Sequence, residues 1–463
     1  MTKSINPSTL SQQTSHASLG IATQKVTTNG NEINSIADCI EQERIREIAG
    51  QHEAGDKRQR KLSCVTLLWL LVTGLATGGK ELGLKFLADL YATQQTDQAK
   101  QQLSKAALSK QLRQRPWPYM KAMVEAAMQV YAELFIGSLG QTCAEWVRQI
   151  LIVDETIMKL SLALFDHYPA SRSTVERPRA AQKTAVCLHP ASGLPDVLAI
   201  RAERDNRINS QFLRPVGEKA LYLFDLGYWW YDLFDAILAR GQHFVTRLRL
   251  DAAITVERVL QGDARWQGQC LKFNTPQLDW LTPFTCIDLI ARLGSPSNCM
   301  QATLRLVGVF TPQHGWRFWV TSLQDAQVWT PTDIADLYRL RWQIEILFRV
   351  LKQVLNIHHF VTTNENGFRL QIYAALLLYV LTRILILKAA QQSGQSPEAF
   401  SETYALQVVS LALQRQSDLL RIGRQPNWEE LEDNLVNLII HQARRANPKR
   451  SSQLSKFLNR GAA

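Results

Sequence analysis

Four side chains suited to handling charge recur in one short stretch. Tyr338, Arg341, Glu345 and Lys352 lie in DLYRLRWQIEILFRVLKQVLN, at offsets of 3, 7 and 14 from the tyrosine. At about 100° per residue on one helix they fall at about 0°, 300°, 340° and 320°, an arc of about 60°. Leu337, Leu340, Ile344, Leu347, Leu351 and Leu355 gather at about 180° to 260°, which gives the helix a separate apolar stripe to bury. An acid, two cations and a phenol are left for work outside the core. Arg forks onto oxyanions, Lys acts as a mobile point charge, and a phenol donates one hydrogen bond. The plain alternative is a solvated face on which Arg341 and Glu345 form a weak i,i+4 pair.

The spacing Y-x2-R-x3-E-x6-K resembles the YREK signature of DDE transposases from bacterial insertion sequences. That resemblance requires two carboxylates upstream, and it points to Asp154 in LIVDET and Asp225 in LFDLGYWW. VDET, with its later Leu and Phe, is similar to the first-aspartate region of the group, and D-x-G-Y followed by FVTRLR is similar to the second. The three acids are separated by 71 and 120 residues (225 − 154 and 345 − 225). Taken singly, an Asp at a strand end is ordinary turn or cap chemistry. Glu155 and Asp232 are the nearest rivals, and Glu155 would point to the opposite face of a strand running through it.

The resemblance implies catalytic and metal-binding roles for Asp154, Asp225 and Glu345. Phosphodiester cleavage at neutral pH needs an activated water or 3′-hydroxyl and a stabilised leaving oxygen, and two divalent ions about 4 Å apart supply both. Carboxylate oxygens suit Mg²⁺, with Mn²⁺ able to substitute, and the ions should arrive with the DNA because Mg²⁺ uses substrate phosphates as ligands. By the same resemblance Asp225 bridges the ions, Arg341 and Lys352 grip phosphates at the transposon end, and Tyr338 touches the backbone beside the cut. Some relatives form a DNA hairpin and stack a flipped base on a tryptophan near the end of the insertion. Trp316 and Trp319 in HGWRFWVTS are the candidates for it here.

The implied activity is cut-and-paste transposition of an insertion sequence at terminal inverted repeats, with transposon-end and target DNA as partners and a homodimer pairing two ends. The rivals are a relative that binds DNA without cutting and a structure-selective nuclease of the same fold.

Composition bounds these readings. The chain has 463 residues, 46% hydrophobic, enough for a large core and two or three structural units. Its net charge of +11 suits a polyanionic partner. Cysteines 39, 64, 143, 187, 270, 286 and 299 are scattered without a C-x2-C pair, which reads as a reducing cytosol and no zinc site. No signal-peptide core opens the chain, Cys64–Thr77 is too short to span a bilayer, and AALLLYVLTRILIL is interrupted by Arg383, so the expectation is a soluble cytoplasmic protein. No phosphate-loop, nucleophile-elbow or H-E-x-x-H motif supports nucleotide use, hydrolase-type catalysis or a zinc protease.

The elements that must position these residues read as an α/β chain. Residues 1–34 are expected to form a mobile polar tail and 35–148 a helical region, which the resemblance implies helps bind the DNA end. There Ser104 and Ser109 are cap candidates, Pro116 and Pro118 mark a break, and Lys105, Lys110, Arg113 and Arg115 are available to a DNA backbone. QILIVDE, the hairpin KTAVCLH–DVLAIRA, the helical piece INSQFLRPVGEKA, the strand LYLFD, the helix WWYDLFDAILARG and the strand HFVTRLRL follow in the order of an RNase H-like core, 149–250. A β-rich insertion, 251–330, is expected from AAITVERVL, QGQCLKF, TLRLVGVF and RFWVTSL. The core resumes over 331–395 with the Glu345 helix, and 396–463 is a basic helical region.

Overall fold

The run ILIVDETIMKL makes a strand because its β-branched and apolar residues fill two faces at once. It forms β1 (Ile150–Leu160), followed by the hairpin β2 (Ala180–His189) and β3 (Leu194–Ala202). LYLF is β4 (Leu221–Phe224) and HFVTR is β5 (His243–Arg247). The order is β3-β2-β1-β4-β5, with β1, β4 and β5 parallel and the hairpin antiparallel. This is the arrangement expected of an RNase H-like core, with the first and fourth strands side by side. The computed structural model describes residues 41–56, 62–93, 102–139, 145–205, 212–274, 279–295, 298–355, 357, 359–421 and 428–445. The expected tail at 1–34 and the basic end beyond residue 445 lie outside the described residues.

Strand alternation sorts the side chains between two cores. Ile150 and Ile152 of β1 and Leu221 and Leu223 of β4 face one core; Leu151, Val153, Tyr222 and Phe224 face the other. Residues 154 and 225 continue the parity of the first set. Both aspartates therefore project toward the same layer, Asp225 from the end of β4 and Asp154 from within β1; the strand-end position expected for Asp154 is corrected, since β1 runs on to Leu160 against β2 and only its parallel pairing with β4 stops at Val153.

The insertion extends this sheet. β6 (Ile254–Gln261), β7 (Cys270–Leu271), β8 (Cys286–Ser295), β9 (Asn298–Cys299), β10 (Leu304–Thr311) and β11 (Gly315–Thr321) follow in the chain, and β11 pairs antiparallel with β5. The ladder runs on as β11-β10-β8-β6-β7, with β9 folded back on β8. β8 lies at the centre of the insertion but was not among the pieces read from the sequence. Its CIDLIARLGS carries Asp288 and Arg292 inside an apolar run. Asp288 is fully buried because Arg305 of β10 forks onto both its oxygens, at 2.8 and 2.6 Å. The expected helix at INSQFLRPVGEKA is corrected: 212–220 are turns around Pro215 and Gly217, whose φ of +93° suits glycine, and 208–211 lie outside the described residues.

Helices cover the face toward which the aspartates point. Glu365–Ser393 is apolar all round, and 94% of its most apolar 18-residue stretch is buried, so its membrane-like length and hydropathy belong to a central core helix. Arg383 within it is answered by Glu402 at 2.8 Å and the Ser192 carbonyl at 2.8 Å. That guanidinium would meet a Cβ placed on Gly193 at 2.7 Å, and Gly193 also sits at φ +72°, so both space and backbone demand glycine at the β2–β3 turn. Cys64–Thr77, Lys105–Gln114 and Pro118–Leu139 pack beside this helix and Gln42–Gln51 packs on the first and last of these, with Trp117 stacked on Tyr373 at 5.4 Å. Ser104 caps Lys105–Gln114, whereas Ser109 lies within that helix. Lys105, Lys110 and Arg113 are exposed, but Arg115 is turned inward onto Asp56 and the carbonyls of Ala54 and Leu62. It ties two segments of the bundle together, which removes it from the surface cations.

Candidate active site

Thr330 begins the helix that carries the catalytic candidates. Its hydroxyl accepts from the Asp333 N–H while Asp333 reaches back to the Thr330 N–H, and Pro331 fills the first helical position, a complete capping box. The helix is Pro331–Arg339, and a second, Trp342–Arg349, follows after a tightened turn. Leu340 and Arg341 take i→i+3 bonds from the Leu337 and Tyr338 carbonyls, and the Leu340 and Arg341 carbonyls in turn receive Gln343 and Ile344. Val350–Val354 then closes as a π-helical turn. The continuous helix read from the sequence is therefore corrected to two helices and a π turn. The even 100° advance fails at both junctions, because a 3₁₀ turn overwinds the chain and a π turn underwinds it.

Arg341 occupies the tightened turn and draws the acids together. One Nη donates to Asp154 at 3.2 Å and the other to Glu345, across 187 residues and 4 residues of sequence respectively. The Asp154 carboxyl also accepts the Glu155 N–H at 2.7 Å, and Asp225 accepts the Gly227 N–H at 2.8 Å as the cap of a short turn. Burial pushes the Asp154 pKa up to about 6, and the neighbouring Asp225 pushes in the same direction. The Glu155 N–H and Arg341 oppose that shift, and Glu345 adds to it. Asp154 thus feels both other acids, and Arg341 is the cation it shares with Glu345.

Tyr338 is buried beside Arg341, whose guanidinium lies 5.8 Å from its ring centroid. Lys352 sits half-buried on the π turn, its ammonium pKa lowered by that burial. Trp319 is buried on the same side of the sheet as the aspartates, 6.5 Å from Tyr338 ring to ring. Trp316 packs on the opposite side, stacked on Phe318 at 5.7 Å. The rivals go elsewhere. Glu155 turns to the opposite face and pairs with Arg201 and with Lys183 at 3.8 Å, while Asp232 lines a cavity of about 530 Å³ with Trp230, Tyr231 and Arg249.

Two side chains beside this group were not weighed from the sequence. Trp342, next to Arg341 in the chain, is 57% exposed. Arg247 ends β5 and is exposed on the aspartate face. It lay in the quoted FVTRLR, and period-two alternation from Val245 was the signal that would have found it.

The donor set is chemically suited to a hard divalent ion, with three carboxylates in electrostatic contact and oxygen the only ligand type. As folded, Arg341 spans two of them, and among the described residues no three carboxylate, imidazole or thiolate groups stand close enough to hold an ion together.

A family model described as "Transposase DDE domain" matches residues 145–381. Among curated proteins, the putative transposase y4zB of Sinorhizobium fredii is 29% identical over 278 residues, 58% of this chain and 70% of that protein. The probable transposase for insertion sequence element IS5377 of Geobacillus stearothermophilus is 28% identical over 225 residues, 47% of this chain and 53% of that protein. This chain thus spans about half the length of some curated relatives. Among solved structures, a piggyBac transposase synaptic complex with hairpin DNA aligns at a TM-score of 0.41 and 12% identity, over 88% of this chain and 84% of that one.

Proposed function

This chain belongs to the transposase DDE-domain family, and from that membership we propose that it moves an insertion sequence by cutting DNA at terminal inverted repeats and joining the freed 3′ ends to a target. Enzymes of this family cut DNA and transfer strands, generally with divalent metal ions. The observation that best supports the reading here is Arg341 held between Asp154 and Glu345, which ties acids from distant parts of the chain to one guanidinium, with Asp225 in electrostatic reach of Asp154.

Asp154, Asp225 and Glu345 would hold two Mg²⁺ ions. Bound there, the ions would acidify a water or 3′-hydroxyl and neutralise the leaving oxygen. Arg341 would then leave the carboxylates for a phosphate, where its planar fork makes two charge-assisted bonds. Lys352 would add a mobile charge along the backbone. Tyr338, beside Arg341, would donate to a phosphate oxygen next to the cut. Two protomers would bring two ends together, acting on DNA in the cytoplasm.

The test is an inverted-repeat duplex with Mg²⁺ and purified protein. Wild type should cut at the repeat, while Glu345→Ala should bind the same duplex and leave it intact. Equal cleavage by that variant would remove Glu345 from the site. Binding without cleavage by the wild type would favour a silent DNA-binding relative, and cutting indifferent to the terminal sequence would favour a structure-selective nuclease.

A further inference from the structure

Past Val153 the parallel pairing of β1 with β4 stops, yet β1 runs on against β2 to Leu160. At about 3.3 Å per residue, the stretch beyond Asp154 makes an arm that reaches about 20 Å from the acids. The loop at its tip, SRSTVERPR over 171–179, carries Arg172, Arg177 and Arg179, and Arg204 joins it from the end of β3 by donating to the Ser173 carbonyl. All four arginines are exposed, and none forms an ion pair among the described residues. Glu176, the acid of the loop, is bound to its own N–H and to the Thr174 hydroxyl.

The loop is tied into one shape. Ser173 Oγ accepts the Arg179 N–H at 2.8 Å, and the Arg179 guanidinium donates back to the carbonyls of Ser171 and Arg172 at 3.2 and 3.1 Å. Arg172 is held at φ +56°, a left-handed conformation that costs a residue with a Cβ about 1 kcal/mol. Gathering like charges in this way opposes folding, so the loop is poorly explained by stability. Two consecutive residues then fix what lies beside it. Glu365 accepts from the hydroxyl of Tyr168, just before the loop, at 2.8 Å. Asn366 donates to the carbonyls of Leu112 and Arg115 at 2.8 and 2.6 Å and accepts the Trp117 N–H at 3.0 Å. Arg369 joins the two, donating to Tyr168 at 3.1 Å and lying 5.1 Å from the Trp117 ring centroid. The arm and the helix Lys105–Gln114, with its exposed Lys105, Lys110 and Arg113, are therefore both pinned to the start of Glu365–Ser393.

We propose that the tip of the β1–β2 arm is an interaction surface for duplex DNA, on which Arg172, Arg177, Arg179 and Arg204 grip the backbone of the element's end at a distance from the cut. Resting on the transposase reading, this adds to it a surface remote from the three acids and from the signature helix. A reach of about 20 Å corresponds to about six steps of 3.4 Å along a strand, so the contact falls about six base pairs from the scissile phosphate. The occupant is the element's end and not the target, because Glu365 and Asn366 fix the arm beside the basic helix proposed to hold that end. With both elements anchored to one core helix, a duplex held on them has a set distance to Asp154.

The experiment measures binding and hydroxyl-radical footprints of an inverted-repeat duplex in EDTA across a range of salt. The variant is Arg172→Gln with Arg177→Gln, because neither guanidinium holds the loop together among the described residues. Its affinity at 0.1 M salt should fall about 60-fold and its slope of log K against log salt should flatten by about 1.8, the signature of two lost phosphate contacts. Protection about six base pairs inside the element should disappear while protection at the cut remains. Lysine at both positions should restore the slope, because a point charge suffices for counterion release. The melting temperature of the DNA-free protein should not move. A Gln variant with wild-type slope and footprint overturns the proposal, as does one whose affinity loss follows a lowered melting temperature and is not rescued by Lys. Unchanged end binding with weakened capture of a second, target duplex by precut ends overturns it too, since the arm would then hold target DNA. Wild type that binds end DNA without cutting it in Mg²⁺, with the variant still flattening the slope, sinks transposition and keeps the arm; wild type that cuts while the variant changes nothing sinks the arm alone. A wild-type chain that binds no DNA sinks both.

Discussion

Asp154→Asn should make the DNA-free, metal-free protein more stable, and more so at higher pH. The carboxyl belongs to a cluster held together at the expense of stability: burial and Asp225 push its pKa from 3.8 to about 6 even though the Glu155 N–H and Arg341 favour its ionised form. A raised carboxyl pKa means that the folded state holds the proton more tightly than the unfolded state, so stability falls as pH rises from below 4 to above 6. With those two pKa values the penalty is about 1.5 kcal/mol at pH 5 and reaches about 3 kcal/mol at pH 8. The side chain is 16% exposed, so solvent screening removes little of it.

Asparagine keeps the shape and an acceptor for the Glu155 N–H, and Arg341 retains Glu345. For a chain of this length about 1 kcal/mol corresponds to about 1 °C, so the variant should melt about 3 °C above wild type at pH 8 and about half as far above it at pH 5. The assay is thermal unfolding in EDTA across that range. Added Mn²⁺ should erase the difference by stabilising only the wild type. An Asn variant that melts at or below wild type at pH 8, or whose advantage does not shrink at pH 5, would refute the claim that these acids are confined at a cost.

Three further outcomes follow from particular contacts. Arg341→Gln removes the cation that spans Asp154 and Glu345, so Mn²⁺ titration of the DNA-free protein should show about tenfold tighter binding while end-DNA affinity falls; unchanged Mn²⁺ affinity would contradict competition at these acids. Arg305→Met leaves Asp288 buried and unpaired, which should cost about 3 to 5 kcal/mol in urea unfolding, and Asp288→Leu in the same background should recover most of it. Lys352→Ala should flatten the salt dependence of DNA binding by about 0.9 while leaving Mn²⁺ affinity intact, and an unchanged slope would argue against a phosphate contact there.

Much of this core could be read from the sequence because its signals are local. The β2–β3 hairpin announces itself by PASGLP between two β-branched runs, and LYLF ends at Asp225 because an Asp that caps the next turn stops a strand. What stayed hidden depends on partners far away. Nothing near Asp288 says that Arg305 will neutralise it, so β8 reads as too polar to be a central strand. Arg115 looks like its exposed neighbours until the Ala54 and Leu62 carbonyls are known to lie beneath it. The helix phase of Tyr338, Arg341, Glu345 and Lys352 assumed uniform winding, and only the packing of residues 340–341 and 350–354 reveals the overwound and underwound turns.

Glu345 must return to Asp154 within β1 and Asp225 at the end of β4 after an insertion of roughly 80 residues, and the structure does this without a flexible tether. β11 pairs with β5, the strand next to β4, so the insertion begins and ends on the same edge of the core. From β11 the chain is fixed again almost at once: Arg305, locked on Asp288, donates to the carbonyls of Leu323 and Asp325 at 3.2 and 3.3 Å. Asp325 in turn accepts from the N–H groups of Gln327 and Val328, and the Thr330–Asp333 capping box starts the helix two residues later. Each joint limits the next, and a displacement of about 1 Å at a metal-binding carboxylate is enough to spoil catalysis. The buried Arg305–Asp288 pair thus serves geometry more than stability, since two apolar residues of similar volume would hold the sheet as well but would release the strap that aims Glu345 at Asp154 and Asp225. The separation of roles is visible in the Arg305→Met, Asp288→Leu double variant, which should regain stability without regaining cleavage.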